Sequence, residues 1–252
     1  MAGLPKNIVI LTGAGISAES GIDTFRDEGG IWDNHRIEDV CTPEAFKRNP
    51  ELVQDFYNMR RATLQTPEIK PNAAHLAITE LQKEHSGTVT VITQNIDNLH
   101  ERAGSTDVIH MHGELLKARC SKTGRSYDWT ENIEKDDICP CCHTKNTLRP
   151  HIVWFGEMPL MMDEIYKAIE NVDLFVAIGT SGSVYPAASF VTEANARDAD
   201  TLEINLQPGL NQSLFKRAMY GLASKKVPEW VESLLVNSVS RRYPGLTKKK
   251  FD

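Results

Sequence analysis

The apolar run Lys6-Asn7-Ile8-Val9-Ile10-Leu11 breaks directly into Thr12-Gly13-Ala14-Gly15, and this junction restricts the fold more than any other feature. A short apolar run with no polar alternation is a strand buried on both faces. Similar runs recur at Thr88–Thr93, Leu174–Ile178 and 201–206, with shorter ones at 107–111 and 151–155. Helix signals lie between them. Thr42-Pro43-Glu44 and Asn49-Pro50-Glu51 each set a capping residue before a proline at the first helical position. The second opens a helix to about Thr63. Further helices are expected from Ile16 and over 72–84, 161–170, 186–196 and 228–236.

Strands alternating with helices predict an α/β fold, a Rossmann-like parallel sheet with helices on both faces. Residues 113–150 have a different character, with cysteines, turn formers and few apolar runs. The expected organisation is a sheet domain of residues 1–32, 76–112 and 151–252. A helical insertion (33–75) and a cysteine-knuckle insertion (113–150) form the smaller domain. The longest apolar run is too short to span a bilayer, and no charged-then-apolar leader precedes the first strand, so a cytoplasmic location is expected. The net charge of -6 argues against nonspecific binding of long nucleic acid.

A strand, Gly13-Ala14-Gly15 and a helix make half of a dinucleotide fingerprint, in which glycines admit a pyrophosphate to a helix N-terminus. The third glycine is replaced by Ala18. The acidic residue expected about 20 positions on is matched only by Asp33, in the run Ile31-Trp32-Asp33-Asn34-His35, which does not read as a strand. A nucleotide here is therefore held differently from a hydride-transfer cofactor; a tight turn without ligand is the plainer alternative. In the following loop, Arg26 suits a phosphate and Phe25 suits shielding a reactive carbon from water.

Polar residues follow several strands, where open α/β sheets bind ligands. Gln94-Asn95-Ile96-Asp97 follows the Thr88–Thr93 run and can hydrogen-bond a carboxamide or ribose hydroxyls. His110-Met111-His112-Gly113 follows the next strand. Its histidines read either as a metal pair or as one general base, with His112 better placed for access. Gly179-Thr180-Ser181 and Asn205 end two later strands.

Gly13-Ala14-Gly15-Ile16-Ser17 with Phe25-Arg26, Gln94-Asn95-Ile96-Asp97, His112-Gly113, Val153-Trp154-Phe155-Gly156-Glu157 and Gly179-Thr180-Ser181 form an ordered set that resembles the sirtuins over roughly residues 8 to 235. The resemblance implies NAD-dependent removal of acyl groups from protein lysines. The acyl oxygen attacks the nicotinamide-bearing ribose carbon, and nicotinamide leaves. His112, as general base on a ribose hydroxyl, promotes attack on the imidate carbon, giving free lysine and O-acyl-ADP-ribose. It further implies that NAD is bound by Gly13, Ala14, Gly15, Phe25, Arg26, Gln94, Asn95, Ile96, Asp97, Gly179, Thr180, Ser181, Asn205, Leu206, Gln207 and Ala223. Asn95 and Asp97 would position the nicotinamide end, and 153–157, with Val153 and Phe155, would receive the substrate by strand addition. Protein ADP-ribosyl transfer and a non-catalytic NAD-sensing module are the competing readings.

Cys139-Pro140-Cys141-Cys142 contains one C-x2-C pair, Cys139 and Cys142, which suits a corner of a structural zinc site with Cys120 upstream. The family's second pair is broken, because position 123 is Thr; Cys141 and His143 are the candidate fourth ligands. Tyr57 and Arg60 are spaced i, i+3 and share a helix face. Such a Y-x-x-R pair looks like the one marking sirtuins that accept succinyl groups, where a guanidinium and a phenol bind the acyl carboxylate.

Overall fold

The computed structural model describes residues 5–24, 31–32 and 35–242, the last six of these, 237–242, by backbone only, as are Ile31 and Trp32. Phe25, Arg26, Asp33 and the lysines at 248–250 lie outside the described residues or, for Asp33, between them.

Strand β1 (Asn7–Thr12) is followed by two 3-10 turns, Ala14–Ile16 and Ala18–Ser20, rather than by the α-helix expected from Ile16. Gly21, at φ +87°, ends the second turn in the left-handed region. Next come β2 (Ile31–Trp32) and β3 (His35–Arg36), a two-residue antiparallel ribbon where no strand was expected. Helices α1 (Ile37–Val40), α2 (Pro43–Arg48) and α3 (Pro50–Leu64) follow. The Thr42 hydroxyl accepts from Ala45 N–H at 3.0 Å and Asn49 Oδ1 from Leu52 N–H at 3.2 Å, so both cap-proline signatures start helices as expected.

Helix α4 (Ala73–Glu84) starts at the Asn72 cap and leads to β4 (Thr88–Thr93), α5 (Leu99–Ala103) and the short β5 (Ile109–His110). The cysteine module contains β6 (Gly113–Cys120), β7 (Ser126–Asp128) and β8 (Leu148–Ile152). The strand expected at 151–155 thus lies earlier, at Leu148–Ile152. Its continuation leaves the ladder because Trp154 N–H turns to the Glu157 side chain. Last come α6 (Met162–Glu170), β9 (Leu174–Ile178), α7 (Phe190–Asn195), β10 (Asp200–Asn205), β11 (Arg217–Tyr220) and α8 (Ala223–Arg242). Helix α8 begins at Ala223 rather than Pro228, because Glu19, distant in sequence, accepts from both the Ser224 N–H (2.9 Å) and its hydroxyl (2.6 Å).

The main sheet has the order β11-β10-β9-β1-β4-β5, and every pairing is parallel. Alternate residues of each strand serve opposite faces. Ile8, Ile10, Val176, Ile178 and Ile204 pack with Ile78 and Leu81 of α4 and Val227, Trp230 and Val231 of α8. Val9, Leu11, Phe175 and Ala177 pack with Ile165 and Ile169 of α6 and Phe190, Val191 and Ala194 of α7. This is the expected parallel sheet covered on both faces. A second core joins α1–α3 to Leu115, Ile152 and Trp154, and a small third one surrounds Cys120 and Cys139. No helix among the described residues is long and apolar enough to cross a membrane.

Candidate functional site

The chain runs from β1 toward β4 and β5 on one side and places β9, β10 and β11 on the other. Beyond the carboxyl ends of the strands, where this order reverses, lies a cleft of about 1070 Å³. Gly13, Ala14, Gly15, Gln94, Asn95, Ile96, Asp97, His112, Gly179, Thr180, Ser181, Asn205, Leu206 and Ala223 all line it, as do Tyr57, Arg60, Val153 and Phe155. Gln207 is exposed and is not part of the lining.

The glycines after β1 serve a purpose the sequence did not indicate. A Cβ at Gly13 would come within 2.8 Å of the Gly179 carbonyl oxygen, and one at Gly15 within 2.7 Å of Gly179 Cα. Gly15 N–H donates to Gly179 O at 2.9 Å. The loops after β1 and β9 therefore meet backbone to backbone at the switch point, and Asn205 Nδ2 braces the second by donating to Thr180 O at 2.7 Å. This contact, apart from any ligand, requires the two glycines.

Asn95 and Asp97 are 8% and 6% exposed and share one partner, the buried Ser17 hydroxyl. Ser17 donates to Asp97 Oδ2 at 3.0 Å and accepts from Asn95 Nδ2 at 3.1 Å; Asn95 Nδ2 also reaches Gly13 O at 3.2 Å. Behind Ser17 stands His75, whose Nδ1 accepts from Asn72 N–H at 3.3 Å. Its proton therefore sits on Nε2, 3.5 Å from Ser17 Oγ. Burial pushes His75 down to about 4 and keeps it neutral. Burial also raises the Asp97 carboxyl, against the Leu99 N–H and Ser17 hydroxyl that it accepts.

His112 Nδ1 lies 3.1 Å from the Gln94 carbonyl. A carbonyl only accepts, so Nδ1 carries the proton and Nε2 is the basic nitrogen. Burial lowers the His112 pKa, and the Gln94 contact offsets only part of that. His110 has a different role. Its Nε2 lies 2.7 Å from Glu101 Oε1; burial lowers the imidazole, but Glu101, with Glu114 and the Asn95 backbone, raises it on balance. The two imidazoles thus have different partners, a carbonyl for His112 and a carboxylate for His110.

Tyr57 is fully buried and accepts from Trp154 Nε1–H at 3.0 Å; its oxygen lies 3.5 Å from Cys41 Sγ. Arg60 lies with its Cζ 5.4 Å from the Phe56 ring centroid. Burial raises the Cys41 thiol to about 11, so it is an inert part of the wall.

In the cysteine module the Sγ atoms of Cys120, Cys139, Cys141 and Cys142 lie within 4.8 Å of one another. Cys120 to Cys142 is 3.8 Å and Cys139 to Cys141 is 3.4 Å. A tetrahedron of metal–sulfur bonds of about 2.3 Å has edges of about 3.8 Å, so these four thiols fit a zinc ion. His143 is outside the group, and the Thr123 hydroxyl lies 3.0 Å from Cys141 Sγ.

Sequence reasoning passed over Ser17, Cys41 and Trp154 as site residues. Ser17 and Trp154 stood within the quoted motifs. Cys41 carried no signal, because its place follows from how α1–α3 pack.

Residues 13–186 match the Sir2 family. A relative from Vibrio parahaemolyticus serotype O3:K6 (strain RIMD 2210633), an NAD-dependent protein deacylase, is 62% identical over 230 residues, covering 91% of this chain and 95% of its own. A solved Sir2 homolog–NAD complex superposes with a TM-score of 0.83 at 36% identity, over 92% of this chain and 91% of that one. A Sir2 structure bound to acetylated peptide gives a TM-score of 0.76 at 28% identity, over 91% and 93%. With the family match spanning most of the chain and a relative this similar along nearly all of it, the protein belongs to the Sir2 family.

Proposed function

We infer that the protein is an NAD-dependent protein-lysine deacylase that accepts acetyl and succinyl groups. The observation that carries this reading is His112, a neutral imidazole whose Nδ1 proton is held by Gln94 O, on the wall of a cleft shared with Asn95 and Asp97. The deacylase activity of the Vibrio relative and the ligands of the two solved Sir2 structures support it.

NAD supplies the acceptor carbon, the leaving nicotinamide and the hydroxyl that takes the acyl group. Asn95 and Asp97, fixed by Ser17, orient the nicotinamide end. His112 Nε2 takes the proton from a ribose hydroxyl. Val153 N–H donates to His112 O and Phe155 N–H to Cys41 O, each at 2.9 Å. Among the described residues this leaves the Val153 carbonyl and the Gly156 N–H without a backbone partner, suited to an incoming extended peptide. Tyr57 and Arg60 line the same cleft and supply the donors a succinyl carboxylate needs. Cys120, Cys139, Cys141 and Cys142 would hold a structural zinc; it takes no part in the chemistry. The reading also places the enzyme in the cytoplasm, acting on acylated proteins.

The test is a panel of acetyl-, succinyl- and longer acyl-lysine peptides incubated with NAD. Deacylated peptide and nicotinamide in equal amounts are expected from the parent; His112→Ala, stopped after nicotinamide has left, should give no deacylated peptide. Label from NAD ending on a protein would establish ADP-ribosyl transfer instead, and no nicotinamide release with any peptide would leave only a sensing module.

A further inference from the structure

The segment 152–157, which follows β8 along the cleft, owes its shape to one guanidinium. Arg149, 8% exposed, donates from Nη2 to Ile152 O at 2.8 Å, and from Nη1 and Nη2 to the Glu157 carboxylate at 2.7 and 2.9 Å. The same carboxylate accepts from Trp154 N–H at 2.9 Å, and Arg119 stands 3.6 Å away. The segment is thus tied at its start, middle and end to one part-buried ion pair, and it reverses at Gly156, which holds φ +90°. The Trp154 ring lies against the guanidinium, with Cζ 3.4 Å from its centroid, while its indole N–H donates to Tyr57. Each link is buried or part-buried, and together they run from Arg149 to the acyl end of the cleft.

We propose that Arg149 and Glu157 are positioning residues for the acyl-peptide site, holding 153–157 in the shape that receives a peptide strand and, through Trp154, setting the direction of the Tyr57 hydroxyl. The proposal rests on the preceding reading of the cleft for what enters it. A bidentate arginine–carboxylate pair fixes angle as well as distance. Replacing the carboxylate by an amide sets an N–H donor against the guanidinium and leaves a buried cation without its counter-charge. None of these residues lies among Gly13–Gly15, Gly179–Ser181 or Asn205, so the effect falls on the peptide rather than on NAD.

The experiment measures Kd of a fluorescent acetyl-lysine peptide by anisotropy without NAD, then KM for peptide and for NAD, in the parent and in Glu157→Gln. Peptide Kd and KM are expected to rise about tenfold, the weight of one charge-assisted hydrogen bond, with KM for NAD within about twofold of the parent. Trp154→Phe keeps an aromatic ring beside Arg149 and deletes the N–H to Tyr57 along with one ring of packing against Phe46. It is expected to lower the ratio of succinyl to acetyl kcat/KM at least about threefold, and it tests the link should Glu157→Gln fail to fold. Unchanged peptide affinity in Glu157→Gln, equal rises in both KM values, or an unchanged acyl ratio in Trp154→Phe would overturn the proposal. A parent that neither binds nor processes any acyl-peptide would overturn the reading of the site itself.

Discussion

Replacing Arg60 by Met separates the acyl-binding role of α3 from its packing role. The Arg60 guanidinium sits 5.4 Å from the Phe56 centroid and lines the cleft beside Tyr57. Methionine retains an unbranched stem over Phe56 and removes only the charged head. A hydrogen bond to a charged group contributes about 1.5–3 kcal/mol. Arg60 is only half-buried, so solvent screening places its loss near the lower bound, about 1.5–2 kcal/mol. At about 1.4 kcal/mol per decade, kcat/KM for a succinyl-lysine peptide should fall about 10- to 30-fold. An acetyl group carries no carboxylate, so acetyl removal should change less than about threefold. The assay is steady-state kinetics on two peptides differing only in the acyl group, with NAD saturating. Equal losses on both would show that Arg60 maintains the helix or the cleft rather than the carboxylate, and the succinyl assignment would fall.

Three further outcomes follow from the same geometry. Burial lowers the His112 pKa below the ordinary 6.5, and only the neutral imidazole accepts a proton; the acid limb of the kcat/KM profile should therefore have its midpoint below pH 6.5, and a midpoint above that value contradicts the assignment. Ser17→Ala removes the hydroxyl that Asn95 and Asp97 share, so KM for NAD or kcat should worsen about tenfold or more, as read by nicotinamide release, with little change in peptide Kd. Purified protein should contain one zinc per chain by elemental analysis; Cys141→Ser should lose it and His143→Ala should retain it.

Much of this was legible in the chain, for identifiable reasons. The apolar runs at Asn7–Thr12 and Leu174–Ile178 are buried on both faces almost throughout, and Thr88–Thr93 is so from Val91 on, so composition marks them as strands. Thr42-Pro43 and Asn49-Pro50 are local signals, and local signals survive folding. What failed depends on distant partners. Helix α8 starts early because Glu19 caps it from 205 residues away. The helix expected from Ile16 becomes two 3-10 turns. Strand β11, Arg217-Ala218-Met219-Tyr220, lies at the edge of the sheet and is mostly exposed, so it has no apolar run to announce it. In the site, the residue types at the strand ends were visible, but the contact of Gly13 and Gly15 with Gly179 was not. Cys141 entered as one of two candidate ligands, and only the closeness of the four sulfurs separates it from His143.

The most direct test of the central claim is the mass balance of a single incubation with acetyl-lysine peptide and NAD. One nicotinamide should be released for each lysine freed, together with a soluble product whose mass is that of ADP-ribose with one hydrogen replaced by the acyl group. Deacylated peptide with free acetate and unconsumed NAD would contradict it.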